Sequence, residues 1–249
     1  MAEQIKDLGQ GGLNTDLPAM LVPMNTFTDC LNVRFNNNAV ETITGEALGR
    51  TVSIAPDFGI HWKRPDQGYN LFIKDGNAVR VDAAGNSSAM LASSETKYLN
   101  SDWQSTLFNG GFSIVINNGK STPLYCLYGD PVAGTTFQPL PGWNYIPGIT
   151  VTAKVVKALN YSLVAANLSI TDGITVTNAP GTIRISVQAG TGAIPSVWQP
   201  GLTTDTADEF EVSSTSPILD MLDLKGNMFV YSSDSISILS IGVATRVIN

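Results

Sequence analysis

Tyr69-Asn-Leu-Phe-Ile-Lys74 runs into Asp75-Gly76, and Ala78-Val-Arg-Val-Asp82 follows. Two short apolar runs flank a pair of turn formers. An Asp-Gly pair supplies the positive φ that a two-residue hairpin needs, so the stretch reads as two antiparallel strands. The same design recurs at Phe112-Ser-Ile-Val-Ile-Asn117, where Asn118-Gly119 is expected to turn the chain into Leu124-Tyr-Cys-Leu-Tyr128. Residues 151–157 and 161–170 are β-branched and alternating, and Thr182-Ile-Arg-Ile-Ser-Val187 adds another strand. Residues 218–224 and 227–232, then Ser235-Ile-Ser-Ile-Leu-Ser-Ile241, make a three-strand meander with turns at Lys225-Gly226 and Ser233-Asp234. The period of two in the last run buries one face only. No amphipathic helix longer than two turns is evident, so the chain is all-β.

Units of this kind repeat. Each opens with an aromatic residue in an apolar strand: Tyr69, Phe112, Tyr161 and Phe229. Trp62, Trp103, Trp143 and Trp198 are spaced by 41, 40 and 55 residues. Propeller blades recur at about 40–50 residues, each a small antiparallel sheet. The expected fold is a β-propeller-like array of antiparallel blades over residues 51–249, with an extended N-terminal arm over residues 1–50. A β-sandwich is the alternative. Gly9, Gly11, Gly12, Pro18 and Pro23 make the arm irregular, with a helical turn expected near residues 27–31.

Composition bounds the chemistry. Of 249 residues, 43% are hydrophobic and only 14% charged, well below the roughly 25% of an average domain. Low charge is what a chain shows when neighbours cover much of its surface. The net charge of −7 opposes a grip on phosphates. Between Asp205 and Asp234 stand seven acids and one base, Lys225. They form either a solvated face or a wall past which DNA slides without sticking. Cys30 and Cys126 make no disulfide framework and are expected in a reduced, intracellular setting. The N-terminus has no apolar run, so no secretory signal is expected, and the sequons at Asn86, Asn160 and Asn167 are chance matches. No run approaches the ~18 apolar residues of a membrane span.

Catalytic motifs fail one by one. His61 is the single histidine and has no cluster of partners at ligand spacing. Gly119-Lys120-Ser121 resembles the end of a phosphate loop, but the first glycine of that motif would fall on Ile114. Gly9-Gln-Gly-Gly-Leu-Asn14 has neither a preceding strand nor a following helix. The expectation is no catalytic site, no cofactor and no metal.

Several segments, in order, carry a family resemblance. They are Leu8-Gly-Gln-Gly-Gly-Leu-Asn14, Asn32-Val-Arg-Phe35, Gly45, and Trp103-Gln-Ser-Thr-Leu-Phe-Asn-Gly-Gly-Phe112 with Asn117 and Pro123. Leu140-Pro-Gly-Trp143, Pro180-Gly-Thr-Ile-Arg-Ile-Ser186, Pro195-Ser-Val-Trp198 and Met228-Phe-Val-Tyr-Ser-Ser-Asp-Ser-Ile236 follow. Together they resemble the tail nozzle proteins of podovirus-type bacteriophages, also called tail tubular B or packaged-DNA-stabilisation proteins. The resemblance implies a structural subunit in a hexameric ring beneath a head–tail adaptor, made in the host cytoplasm and located in the virion tail. Tail fibres or other tail proteins would dock outside, and DNA would pass through the lumen without specific binding. It also implies more sheet than this chain holds. On that reading Leu8, Gly9, Gly11, Gly12, Leu13 and Asn14 form an assembly arm. Asp205, Asp208, Glu209, Glu211, Asp220 and Asp223 are candidate lumen acids. Three rivals stand beside it: another head–tail joining or distal tail protein, a glycan-binding or glycan-degrading propeller for host attachment, and a bacterial β-rich protein of unrelated role.

Overall fold

The computed structural model describes residues 33–36, 39–42, 54–66, 68–129, 136–201, 207–212, 216–241 and 246–248. The chain divides into two units, Met1–Thr51 and Val52–Asn249. In the first, β1 (Val33–Asn36) and β2 (Ala39–Thr42) pair antiparallel, Asn36 opposite Ala39. Part of the segment that reads as irregular is therefore a short hairpin. Its strands carry Val33, Phe35 and Val40, residue types that favour a pleated backbone. The expected turn at residues 27–31 lies outside the described residues.

The second unit is a propeller-like array of four antiparallel sheets, each a meander of four strands in sequence order. Sheet 1 holds β3 (Phe58–Lys63), β4 (Gly68–Lys74), β5 (Asn77–Asp82) and β6 (Ser87–Ala92). Sheet 2 holds β7 (Gln104–Phe108), β8 (Ser113–Asn117), β9 (Leu124–Leu127) and β10 (Gln138–Pro139). In sheet 3 are β11 (Ile149–Leu159), β12 (Ser162–Asp172), β13 (Thr175–Ile185) and β14 (Asp208–Glu211). Sheet 4 is β15 (Ile218–Leu224), β16 (Asn227–Ser232), β17 (Ile236–Ile241) and β18 (Arg246–Ile248). The opening strands neighbour one another: β7 lies against β3 and β11, and β11 against β15. They form the inner row of the array, and the fourth strands are its outer edges.

Three apolar seams join the four sheets in series. Trp62, Leu71 and Ile73 of sheet 1 meet Ile114, Ile116 and Cys126 of sheet 2. Val115 and Phe108 of sheet 2 meet Val151, Ala153, Leu163 and Ala165 of sheet 3. Val164, Ala166 and Ile183 of sheet 3 meet Met221, Met228, Val230 and Leu239 of sheet 4. The strand period of two sends successive residues of β8 and β12 into opposite seams, so both faces of these strands are buried.

Several expectations are corrected. Asp75-Gly76 makes the expected two-residue turn, but the positive φ (50°) belongs to Asp75. Gly76 is needed for clearance, because a Cβ there would lie 1.9 Å from the Ser93 carbonyl oxygen. Asn118-Gly119 does not join two strands by itself. β8 ends at Asn117 and β9 begins at Leu124, and Asn118 Oδ1 accepts from the backbone N–H of both Lys120 and Ser121. The side chain mimics a backbone turn and organises a longer loop. The strand read at residues 182–187 is the end of β13, which starts at Thr175. Pro180 and Gly181 conceal its first half. They fall where the register with β12 breaks between Ala166 and Leu168, an irregularity that tolerates a residue without an N–H.

Candidate functional site

The sheets are pinned together by side-chain donors that reach into neighbouring backbone. Trp62 Nε1 donates to Gly111 O at 2.9 Å, and Trp103 Nε1 to Asp75 O at 3.0 Å, both across seam one. Asn117 Nδ2 donates to Ala153 O (2.7 Å) and Lys154 O (3.2 Å), from sheet 2 to sheet 3. Asn167, at φ 57°, passes its Nδ2 hydrogen to Ile218 O of sheet 4 at 2.9 Å. Trp143 donates to Val151 O at 2.8 Å and packs edge-on against Trp198, ring centroids 4.7 Å apart. All four tryptophans are buried, so none offers a sugar-stacking platform.

The candidate acids separate. Asp205 lies outside the described residues, as do Leu8, Gly9, Gly11, Gly12, Leu13 and Asn14. Asp208, Glu209 and Glu211 sit on β14, the outer edge of sheet 3, away from the inner row. Glu209 accepts a 2.7 Å hydrogen bond from Arg184 Nε, and that buried guanidinium also lies over Trp143 and Tyr145. Its carboxylate balances a buried cation and braces the sheet edge. Asp220 and Asp223 do lie on β15, in the inner row. Asp220 is 3.3 Å from Lys157 Nζ, while Asp223 lines a cleft described below.

Sheet 4 turns its second face outward. Cross-strand rows there run Leu222–Phe229–Ile238 and Asp220–Tyr231–Ile236. Leu222, Leu224 and Ile236 are 55%, 52% and 63% exposed. In sheets 1 to 3 the corresponding apolar face is closed by the next sheet. Contiguous apolar surface of this kind marks an interaction site more often than scattered single residues do.

A cleft of about 430 Å³ opens where the inner strands end, lined by Leu107, Asn109, Gly110, Ala158, Asn160, Tyr161, Thr191 and Asp223. Sequence reasoning missed it, because its parts come from three sheets and only the fold unites them. The adjacent positive φ values of Asn109 and Gly110, and that of Asn160, mark the tight links that build its rim.

Two of the discarded candidates hold structural contacts, and the third, residues 9–14, lies outside the described residues. His61 is exposed and shares a 3.0 Å hydrogen bond with Asn70. Lys120 Nζ donates to Leu99 O and Asn100 O, which anchors its own loop. Among the described residues no cluster of His, Cys, Asp and Glu suited to a metal occurs and no helix is long and apolar enough to cross a membrane.

No family model matches the chain, and no curated protein does. Among solved structures it is similar to dihydro-heme d1 dehydrogenase NirN in complex with DHE, at 12% identity and a TM-score of 0.45. That match covers 77% of this chain and 36% of the other, so the chain spans about a third of that protein's length. A nidogen/laminin complex matches at 12% identity and TM-score 0.33, covering 86% of each chain. The WD40 domain of SCAP from fission yeast matches at 10% identity and TM-score 0.32, covering 72% and 43%.

Proposed function

We propose that this chain is a structural subunit of a bacteriophage tail, of the nozzle or hub type. Copies of it form a ring around the DNA exit channel that retains and then passes the genome. The observation that carries the reading is the uncovered apolar face of sheet 4 around Leu222, Phe229 and Ile236. In this array every other seam is sheet on sheet, and burying large apolar side chains is worth about 1.5–3 kcal/mol each. A second copy supplies such a sheet. The succession of sequence segments between Leu8 and Ile236 that resemble tail nozzle proteins supplies the context, and the low charge fits extensive subunit contact.

The acidic balance supports a conduit rather than a clamp, since tight phosphate binding opposes ejection. The head–tail adaptor and tail fibres are the proposed neighbours. The burial of all four tryptophans speaks against the glycan-degrading propeller as the main reading.

Light scattering on the full chain, repeated with residues 1–45 deleted, tests the assembly. A multiple of the 26.4 kDa chain mass that collapses on deletion is expected. A monomer in both preparations would count against it.

A further inference from the structure

We propose that the cleft at the ends of the inner strands binds a neutral saccharide, with Tyr161 as the stacking platform. This inference stands apart from the assembly reading.

The cleft is built and held open. Asn109 donates both hydrogens of its side-chain amide, to Gly190 O and Ala193 O, each at 3.0 Å. The Ala193 N–H closes a turn on Gly190 O at 3.1 Å, and the Ala189 N–H bonds Tyr161 O at 2.8 Å. The turn that carries Thr191 is therefore clamped from both sides. Gly110, at φ 65°, would place a Cβ in open space, so its backbone borders the opening without a side chain. On the far wall Asp223 accepts from the Gly226 N–H at 3.0 Å through one carboxylate oxygen.

Tyr161 is 52% exposed, the one exposed large aromatic among the described residues. Every tryptophan in the chain is inside. An aromatic left out beside a preformed cleft offers an apolar face and a polar tip together.

The lining selects the ligand by elimination. It contains no lysine, arginine or histidine and has one carboxylate, so phosphate and nucleic acid are repelled. Its aliphatic side chains are only Leu107 and Ala158, too few for a lipid tail. A quaternary ammonium ligand is best held by several rings, and there is one. What remains is a ligand with one apolar face and a hydroxyl rim, which is a pyranose ring. Its C–H face lies on Tyr161, and its hydroxyls reach the Asn160 amide, the Thr191 hydroxyl and the Asp223 carboxylate. The volume suits one or two sugar rings, within the 300–1,000 Å³ usual for small-ligand sites.

Saturation-transfer NMR on the full chain tests this with methyl β-glucoside, methyl β-galactoside and methyl N-acetyl-β-glucosaminide. Each is used at about 10 mM, enough to fill a site of millimolar Kd. Choline and methyl phosphate, whose methyl protons report transfer, are the controls. Transfer to ring C–H protons is expected with at least one glycoside. It should persist in Tyr161→Phe and fall at least tenfold in Tyr161→Ala, with the melting temperature unchanged. No transfer from any glycoside, equal transfer in Tyr161→Ala, or transfer to choline or methyl phosphate alone would overturn the proposal. None of these outcomes depends on whether the chain forms rings.

Discussion

The side-chain amide of Asn117 reaches out of sheet 2 and donates to the carbonyl oxygen of Ala153, 2.7 Å away on the opening strand of sheet 3. Asn117 is 2% exposed, and its second acceptor is Lys154 O. Two carbonyls on one strand thus depend on one side chain of another sheet. Removing it takes the side-chain donor from the buried Ala153 carbonyl oxygen, at a cost of about 1–3 kcal/mol. Asn117→Ala should lower the melting temperature by several degrees, measured by calorimetry against Asn77→Ala at an exposed strand position. An unchanged melting temperature would mean the seam does not rely on this contact.

Two glycines with the same backbone handedness separate strain from clearance. Gly142 (φ 64°) would place a Cβ 1.9 Å from Ser196 O, whereas Gly173 (φ 58°) has nothing within 4 Å. Gly173→Ala meets only left-handed strain of about 1–2 kcal/mol. Gly142→Ala adds a backbone collision beneath the Trp143–Trp198 pair. Urea denaturation should show the Gly142 variant clearly less stable than the Gly173 variant. Equal midpoints would contradict the close approach.

Sheet 4 gives a prediction about assembly. A charge at Leu222 or Ile236 is solvated in the free subunit but would be desolvated against a second copy. Leu222→Glu and Ile236→Glu should each leave the monomer's melting curve nearly unchanged and weaken association at least tenfold in sedimentation velocity. Loss of folding with association intact would place this face in the monomer's own core instead.

Tyr145 supplies a pH dependence. Burial pushes its phenol above the ordinary 10.0, and Glu209 adds to the rise, while the Arg184 guanidinium pulls the other way. The folded state therefore holds this proton more tightly than the unfolded chain. Stability falls as pH rises through the ordinary tyrosine value toward the folded one. Unfolding midpoints measured between about pH 9 and 11, bracketing that value, should decline less steeply in Tyr145→Phe than in the parent.

How far the fold is legible from sequence depends on where its signal falls. Tyr69, Phe112, Tyr161 and Phe229 do recur once per sheet, but they mark the second strand rather than the first. Tyr69 and Phe229 lie in β4 and β16, and Phe112 and Tyr161 immediately precede β8 and β12. The reason is burial. β8 is buried at every position, while the opening strands β3, β7 and β15 are largely half-exposed or exposed. Second strands therefore carry the apolar runs that a sequence reading detects. The tryptophan spacing misleads at its last step for a related reason. Trp62, Trp103 and Trp143 stand in or just before opening strands, but Trp198 lies between β13 and β14 and packs back on Trp143.

The candidate sites were less legible. The acids from Asp208 to Glu211 look like one run with Asp220 and Asp223. The meander nonetheless sends the first group to an outer edge and the second to the inner row. Proximity in sequence does not survive a strand reversal. The cleft was invisible because Leu107, Tyr161, Thr191 and Asp223 belong to turns and strand ends of three sheets.

Self-assembly into a closed ring is tested most directly by electron microscopy of the purified 249-residue chain. Two-dimensional class averages are predicted to show a closed ring with an open centre, lost in Leu222→Glu. Particles no larger than one 26.4 kDa chain at every concentration, or open filaments that never close, would contradict it.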